Sequence, residues 1–216
     1  MQTVFITGGT GFMGRNLIME LVRRGYVVRA LARPGSEHKL PQGCKPIHGD
    51  ALDKDSFVSQ IAPAETFVQL IGVTHPNPAK KDEFRAIDLG SARAAIEAAK
   101  EAGIKHFVYV SVAQPAPVMK SYIAVRAEAE KMVRESGMNA TILRPWYVLG
   151  PGRRWPLILK PMYWLMERIP ATRESAQRLG LVTIEQMVGA IVRSIENPAQ
   201  GVRILGVPEI RGKATS

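Results

Sequence analysis

The sequence predicts an α/β domain built on a doubly wound parallel sheet. Three observations lead there. Short apolar runs alternate with helical patterns along most of the chain, the order that gives parallel strands joined by right-handed crossovers. The first run, Val4-Phe5-Ile6, is apolar without alternation, as a strand covered on both faces must be. It leads through Thr7-Gly8-Gly9-Thr10-Gly11-Phe12-Met13-Gly14 into the helical pattern Leu17-Ile18-Leu21-Val22, so strand, glycine turn and helix follow directly on one another.

Gln2 to Thr7 is the first strand. Gly8, Gly11 and Gly14 then stand at GxxGxxG spacing. Glycine turns sharply without a Cβ clash, and it lets a pyrophosphate lie against backbone N–H groups where the helix dipole favours negative charge. Met13 to Arg24 is the first helix, closed by Gly25. Val27 to Ala32 is the second strand, ending at Arg33-Pro34-Gly35-Ser36. In an NAD site an acid about 20 positions after the glycines would hold the ribose 2′-hydroxyl. Arg33 stands there instead, with no Asp or Glu adjacent. An Arg suits a 2′-phosphate, with Arg29 and Ser36 as candidate helpers; the other reading is a surface Arg opening a turn.

Lys45 to His48 is the third strand, followed by Gly49-Asp50-Ala51-Leu52. Asp50 can reach an adenine ring at the carboxyl edge of the sheet, can cap a helix starting near Asp53, or can do both. Thr66 to Ile71 is the fourth strand, and the loop from Gly72 to Pro78 places Leu70 and Gly72 at that same edge. His75 lies in the loop and could face a substrate. Asp82 to Ala102 is a long helix whose small residues, Ala86, Ala92, Ala95 and Ala99, allow close packing on the sheet. His106 to Ser111 is the fifth strand, with Ser111 at its carboxyl end.

Composition narrows the functional classes. The apolar fraction of 46% and the charged fraction of 22% are those of an ordinary globular chain of 216 residues. The single Cys44 excludes an internal disulfide framework, suits a reducing, cytoplasmic setting, and reads as a small buried hydrophobe. Met1 leads straight into a strand, which predicts no signal peptide, and no apolar run approaches a membrane span. The net charge of +10, concentrated in the second half, comes without a recognition helix, zinc-ligand spacing or aromatic–basic repeat. It predicts a basic solvated face; nucleic acid and a metal are not expected.

The chemistry, if any, lies in Ser111 and the helix opened by Tyr122-Ile123-Ala124-Val125-Arg126. Positions four apart share a helical face, so Arg126 lies beside Tyr122 and its cation would favour the phenolate. A tyrosine so placed beside a hydroxyl can exchange a proton with a carbonyl or alcohol while hydride moves. The alternative is a Tyr packed in the core and an Arg reaching outward.

The glycine motif, Gly49-Asp50 and the Tyr122-xxx-Arg126 helix together resemble the short-chain dehydrogenase/reductase superfamily, in its extended and atypical branches. Those branches include epimerase-like, NmrA-like and complex I accessory-subunit-like proteins. Leu143-Arg144-Pro145 with Gly150-Pro151-Gly152 also resembles the strand and loop that close over nicotinamide there. The resemblance covers residues 1–152 and implies a Rossmann-like fold. It implies that NAD(P) is held by Gly8, Thr10, Gly11, Phe12, Met13 and Gly14 at the phosphates, and by Arg33, Asp50 and Ala51 at the adenosine. Leu70, Gly72, Tyr122, Arg126 and Pro145 would line the nicotinamide end. It carries Ser111 over as substrate hydrogen-bond donor and Tyr122 as acid/base, with Arg126 where the family's Lys would hold the nicotinamide ribose. The departures are Arg for Lys and a short interval between Ser111 and Tyr122.

Residues 153–216 read as a C-terminal lid or substrate region within the same domain. Trp155 to Arg168 mixes a large apolar surface with Arg153, Arg154, Lys160 and Arg168, and is broken by Pro156 and Pro161. That pattern predicts a pocket wall, a homodimer contact or a partner-subunit interface in preference to a membrane segment. Leu181-Val182 is a short extended piece, Ile184 to Glu196 a helix and Val202 to Val207 a last strand; the tail after Pro208 is expected to fray. The expected function is an NADP(H)-dependent oxidoreductase or epimerase-like enzyme on a small carbonyl or hydroxyl compound. The rival is a cofactor-bound sensor or structural subunit without turnover.

Overall fold

The computed structural model describes residues 2–73, 77–151 and 178–212. Six strands and their connecting segments form the expected sheet, and a seventh strand completes it. In chain order these are β1 (Thr3–Thr7), β2 (Val27–Ala32), β3 (Cys44–His48), β4 (Thr66–Gln69), β5 (His106–Val110) and β6 (Ala140–Leu143). After the short pair β7 (Tyr147–Leu149) and β8 (Leu181–Thr183), strand β9 (Val202–Leu205) joins the edge. The order is β3-β2-β1-β4-β5-β6-β9, and every neighbouring pair is parallel. The direction of winding reverses between β1 and β4. That switch point opens a crevice at the carboxyl ends of both strands, where open α/β sheets bind ligands.

Side chains alternating along the strands feed two cores. On one face Val4, Ile6, Val68 and Val108 pack with α1 (Phe12–Arg23) and a helix near the C-terminus. On the other, Phe5, Phe67 and Phe107 stand in register on β1, β4 and β5, with ring centroids 5.1 and 5.4 Å apart. Apolar residues on both faces of the inner strands are what forces them to the centre.

The predicted helix over 82–102 is interrupted. A single turn, α2 (Lys81–Glu83), runs into a π-helical turn, Phe84–Leu89, before α3 (Gly90–Glu101) begins. Ala92, Ala95, Ala98 and Ala99 of α3 are buried and bring its backbone close to the sheet. No α-helix starts at Asp53, where isolated 3₁₀ turns span Lys54–Ser56 and Val58–Gln60. Helix α4 (Lys120–Glu135) follows β5, and α5 (Ile184–Glu196) is capped by Thr183 and Gln186 in a reciprocal pair. The fraying expected directly after Pro208 is corrected as far as Ile210, because Val207–Ile210 forms a short helix, α6, with Val207 and Ile210 buried; residues 213–216 lie outside the described residues. Proline is tolerated in a first helical turn, so Pro208 opens this helix and does not end the fold. Among the described residues no helix is long and apolar enough to cross a membrane.

Cys44 is half-buried; its thiol donates to Pro41 O at 3.1 Å and burial pushes its pKa up, the behaviour of an inert packing residue. At the far, amino-terminal edge, His106 is 1% exposed and shares a 3.0 Å hydrogen bond with Thr141. Burial, then the charge of Arg203, lowers its pKa to about 4. The unfolded chain takes up this proton near pH 6.5 while the folded chain resists to about pH 4. The unfolded state therefore binds more protons across that window, and stability falls as pH falls through it. Denaturant titrations at pH 7 and pH 4.5 are expected to differ by up to about 3 kcal/mol from this group. His106→Asn should flatten that part of the profile; an unchanged slope would assign the acid sensitivity elsewhere.

Candidate cofactor and active site

The glycine turn leaves the N-terminus of α1 open. Gly8 takes φ +76°, the left-handed region that glycine enters without strain, and Gly11 N–H donates to Gly8 O at 3.1 Å. Gly14 carries the close approach. A Cβ there would run into Gly8 O and lie 2.6 Å from Gly9 Cα, so helix and loop meet backbone to backbone. Gly11 is the N-cap, no side chain caps the helix, and no acid stands in its first turn. The first N–H groups, at the positive end of the dipole, form a seat for a pyrophosphate. Thr10, Phe12 and Met13 lie half-buried around it. Leu70 N–H donates to Thr7 O at 3.2 Å, which ties the tip of β4 to the start of the turn. Gly150 lies against the Phe12 ring with no room for a Cβ, so the segment after β7 sits over this end of the cleft. Beside it, Phe12, Arg15, Met19, Lys39, Leu40 and Pro151 line a groove of about 420 Å³ whose two cations add to the positive field.

At the adenosine end, Arg33 is exposed just past β2, and its side chain makes no hydrogen bond or ion pair among the described residues. Arg29 is tied at one point, where its Nε donates to Gln60 O at 3.0 Å. Ser36 N–H donates to Arg33 O at 2.9 Å and closes the turn. Asp50 is exposed beside Ala51, and its carboxylate accepts from Leu52 N–H at 3.0 Å. The helix-cap reading of Asp50 is corrected, since Asp53 caps the following 3₁₀ turn itself by accepting from Asp55 N–H at 3.1 Å.

At the carboxyl ends of β4 and β5, where the nicotinamide is expected, the structure gathers Tyr122 and Arg126 but gives Ser111 a different partner. Arg126 is 4% exposed, with its guanidinium carbon 5.2 Å from the centre of the Tyr122 ring. Arg126 Nη1 donates to Tyr109 Oη at 3.2 Å and Val110 O at 3.0 Å, and Nη2 to Ile71 O at 3.4 Å. Nη2 also lies 2.5 Å from a carboxylate oxygen of Asp88, which is fully buried. A Cβ on Gly72 would collide with Nη2, so Gly72 makes room for the guanidinium. Burial pushes the Asp88 carboxyl up against the pull of Arg126 and of Val73 N–H, while Tyr109, Tyr122 and Asp88 hold the Arg126 pKa up against its own burial. A guanidinium does not release its proton in a protein, so Arg126 keeps its positive charge at neutral pH.

Ser111 Oγ donates to Glu130 at 2.6 Å, and no hydrogen bond joins Ser111 to Tyr122 among the described residues. Glu130 is fully buried and also receives Gln114, Arg134 and both arms of Arg144. Burial pushes its carboxyl up, but Arg144, Ser111 and Arg134 outweigh that and hold it below the usual carboxylate range. Pro145 O accepts from Ala113 N–H at 2.9 Å and fastens the end of β6 to the stretch after Ser111. His75, Gly152 and the segment 153–168 lie outside the described residues.

Residues 8–154 match the profile of the NAD(P)H-binding family. The chain belongs to that family. The matched stretch of this NAD(P)H-binding chain begins at Gly8, the first glycine of the turn. The chain is 27% identical over 201 residues to a ceramide reductase of Caulobacter vibrioides, covering 92% of itself and 62% of that protein. It is 29% identical to subunit 9 of the mouse mitochondrial NADH dehydrogenase 1 alpha subcomplex, covering 87% of itself and 49% of the relative. It therefore spans roughly half to three fifths of the length of these relatives. Among solved structures, WbmH of Bordetella bronchiseptica with NAD+ superposes at a TM-score of 0.71, with 18% identity over 98% of this chain and 79% of that one. This likeness shows the fold.

Asp88 and Glu130 are the site residues that the sequence reading missed. Glu130 was within reach of it: Tyr122, Arg126, Glu130 and Arg134 are spaced four apart on α4, one continuous stripe of a helix. Asp88 sits 38 positions before its partner, in a turn whose register no local pattern announces.

Proposed function

We propose that this NAD(P)H-binding chain is an NADP(H)-dependent reductase that interconverts a carbonyl and a hydroxyl, with Tyr122 as acid/base. The observation that carries the reading is the Arg126 guanidinium held against the Tyr122 ring at the carboxyl ends of β4 and β5. The cofactor supplies the hydride; the residues supply the proton and the orientation. Tyr122 gives its hydroxyl proton to the developing alkoxide, and the neighbouring cation stabilises the phenolate left behind. Arg126 supplies the fixed positive charge beside that ring, with its Nε buried and without a hydrogen-bond partner among the described residues. Ser111 serves as a second donor to the substrate oxygen by rotating away from Glu130. That rotation is tolerable because Glu130 keeps Gln114, Arg134 and two bonds from Arg144. Ser111→Ala is expected to cost about 10²-fold in kcat, the usual loss for one oxyanion donor, read as NADPH absorbance over a panel of ketones, aldehydes and quinones. A rate equal to wild type would remove Ser111 from the reaction.

The preference for NADP(H) over NAD(H) rests on Arg33, exposed and unpaired among the described residues where a 2′-phosphate would lie. Losing one charged hydrogen-bond pair costs about 1.5–3 kcal/mol, roughly ten- to a hundredfold in affinity. Calorimetric titration of NADPH and NADH into wild type and Arg33→Ala should show that drop for NADPH alone. Equal affinities in wild type, or an unchanged ratio in the variant, would refute the preference.

A second reading has one specific observation behind it: all the Nη contacts of Arg126 go to protein groups, where the family's Lys would serve the cofactor. In that reading the chain binds NADP(H) tightly as a sensor or structural subunit and turns nothing over. Tight NADPH binding with no oxidation across the carbonyl panel would establish it.

A further inference from the structure

Helices α4 and the π-helical turn Phe84–Leu89 face each other through two matched pairs. Residues four apart on one side, Tyr122 and Arg126, meet residues four apart on the other, Phe84 and Asp88. The Phe84 and Tyr122 rings meet edge to face with centroids 5.0 Å apart. The Asp88 carboxylate divides its oxygens between the Arg126 guanidinium and Val73 N–H, the latter at 3.0 Å. Arg126 in turn reaches Ile71 O and Val110 O, and its Nη2 fills the space a side chain at Gly72 would need. The stretch 71–73 beyond β4 is therefore held from below by one ion pair. π-turns are uncommon in helices and tend to sit at functional sites.

We infer that the π-helical turn is the positioning element of the nicotinamide end, with Asp88 fixing Arg126 and the 71–73 stretch, and Phe84 fixing the Tyr122 ring. This rests on the reading of Tyr122 as acid/base for the Phe84 half, and only on cofactor binding for the Asp88 half. Neither residue is a catalytic residue; both act through the side chains they hold. Arg33, just past β2, makes none of these contacts among the described residues; the glycine turn touches the near end of the stretch, where a Cβ on Gly8 would lie 3.1 Å from Ile71 N.

The test separates the two ends of the cofactor. Affinities for NADPH and for 2′,5′-ADP, which lacks the nicotinamide half, are measured by calorimetry in wild type and Asp88→Asn. The expected result is a tenfold or greater loss for NADPH with 2′,5′-ADP unchanged within twofold. Equal weakening of both probes, or of neither, overturns the Asp88 role. Phe84→Leu keeps an apolar side chain and should fold even if Asp88→Asn does not. It is expected to lower kcat about tenfold on the best carbonyl of the ketone, aldehyde and quinone panel, with KM and NADPH affinity within twofold. Phe84→Tyr, which restores the ring, should return kcat to within twofold of wild type. A Phe84→Leu enzyme as fast as wild type, or a Phe84→Tyr enzyme as slow as Phe84→Leu, overturns the Phe84 role. A wild-type protein that binds NADPH and reduces nothing defeats the reductase reading, while the Asp88 arm still decides the positioning at the cofactor.

Discussion

Tyr122→Phe is expected to lower kcat by about 10²–10⁴-fold while leaving NADPH affinity nearly intact. The change removes one oxygen and keeps the ring, so the contacts to Phe84 and Arg126 survive and only the proton is lost. A large fall in kcat with an unchanged Kd is the signature of a group that acts in the transition state. Arg126→Lys is the companion probe, because it restores the residue that the catalytic pattern carries. Lys has no planar fork with which to span Asp88, Tyr109, Val110 O and Ile71 O, so the variant should lose melting temperature even where turnover survives. Steady-state kinetics with calorimetry separate the cases. A Tyr122→Phe enzyme with wild-type kcat would show that the hydroxyl carries no proton.

The second large effect is expected at the glycine turn. In Gly14→Ala the new Cβ meets backbone on two sides, Gly8 O and Gly9 Cα, and neither can swing away as a flexible side chain would. The helix must move off the loop, which displaces the N–H groups that receive the pyrophosphate. NADPH affinity should fall at least about a hundredfold, or roughly 2.7 kcal/mol. Gly25→Ala is the control. Gly25 has φ +82° and nothing within 4 Å of its would-be Cβ, so the substitution strains the backbone by about 1–2 kcal/mol without touching the cleft. Stability should drop in Gly25→Ala while NADPH binding holds. A Gly14→Ala protein that binds NADPH like wild type would place the pyrophosphate elsewhere.

What the sequence made legible follows from range. The glycine turn, the apolar strands and the alanine-lined helix are local patterns, and each appears where its pattern stands. The seventh strand was readable as a strand but not as a member of the main sheet, because its partner β6 lies some 60 positions earlier. The π-helical turn was illegible for the same reason. Its register answers to Arg126, which is distant in sequence and adjacent in space. Asp50 was ambiguous because the same residue type serves caps and ligands, and only the 3₁₀ turn after Asp53 removed one option. Ser111 was placed correctly at a strand end, but its hydroxyl donates its hydrogen bond to Glu130, a buried carboxylate paired with two arginines.

Every role assigned to Arg33, Gly72 and Tyr122 depends on where NADP(H) sits. A crystal structure of the protein with NADPH tests this most directly. The predicted result places the pyrophosphate on the N–H groups at the start of α1, the 2′-phosphate on Arg33, and the nicotinamide beside Gly72 with the Tyr122 hydroxyl turned toward it. A cofactor bound with its nicotinamide away from Tyr122, or a 2′-phosphate that makes no contact with Arg33, would contradict it.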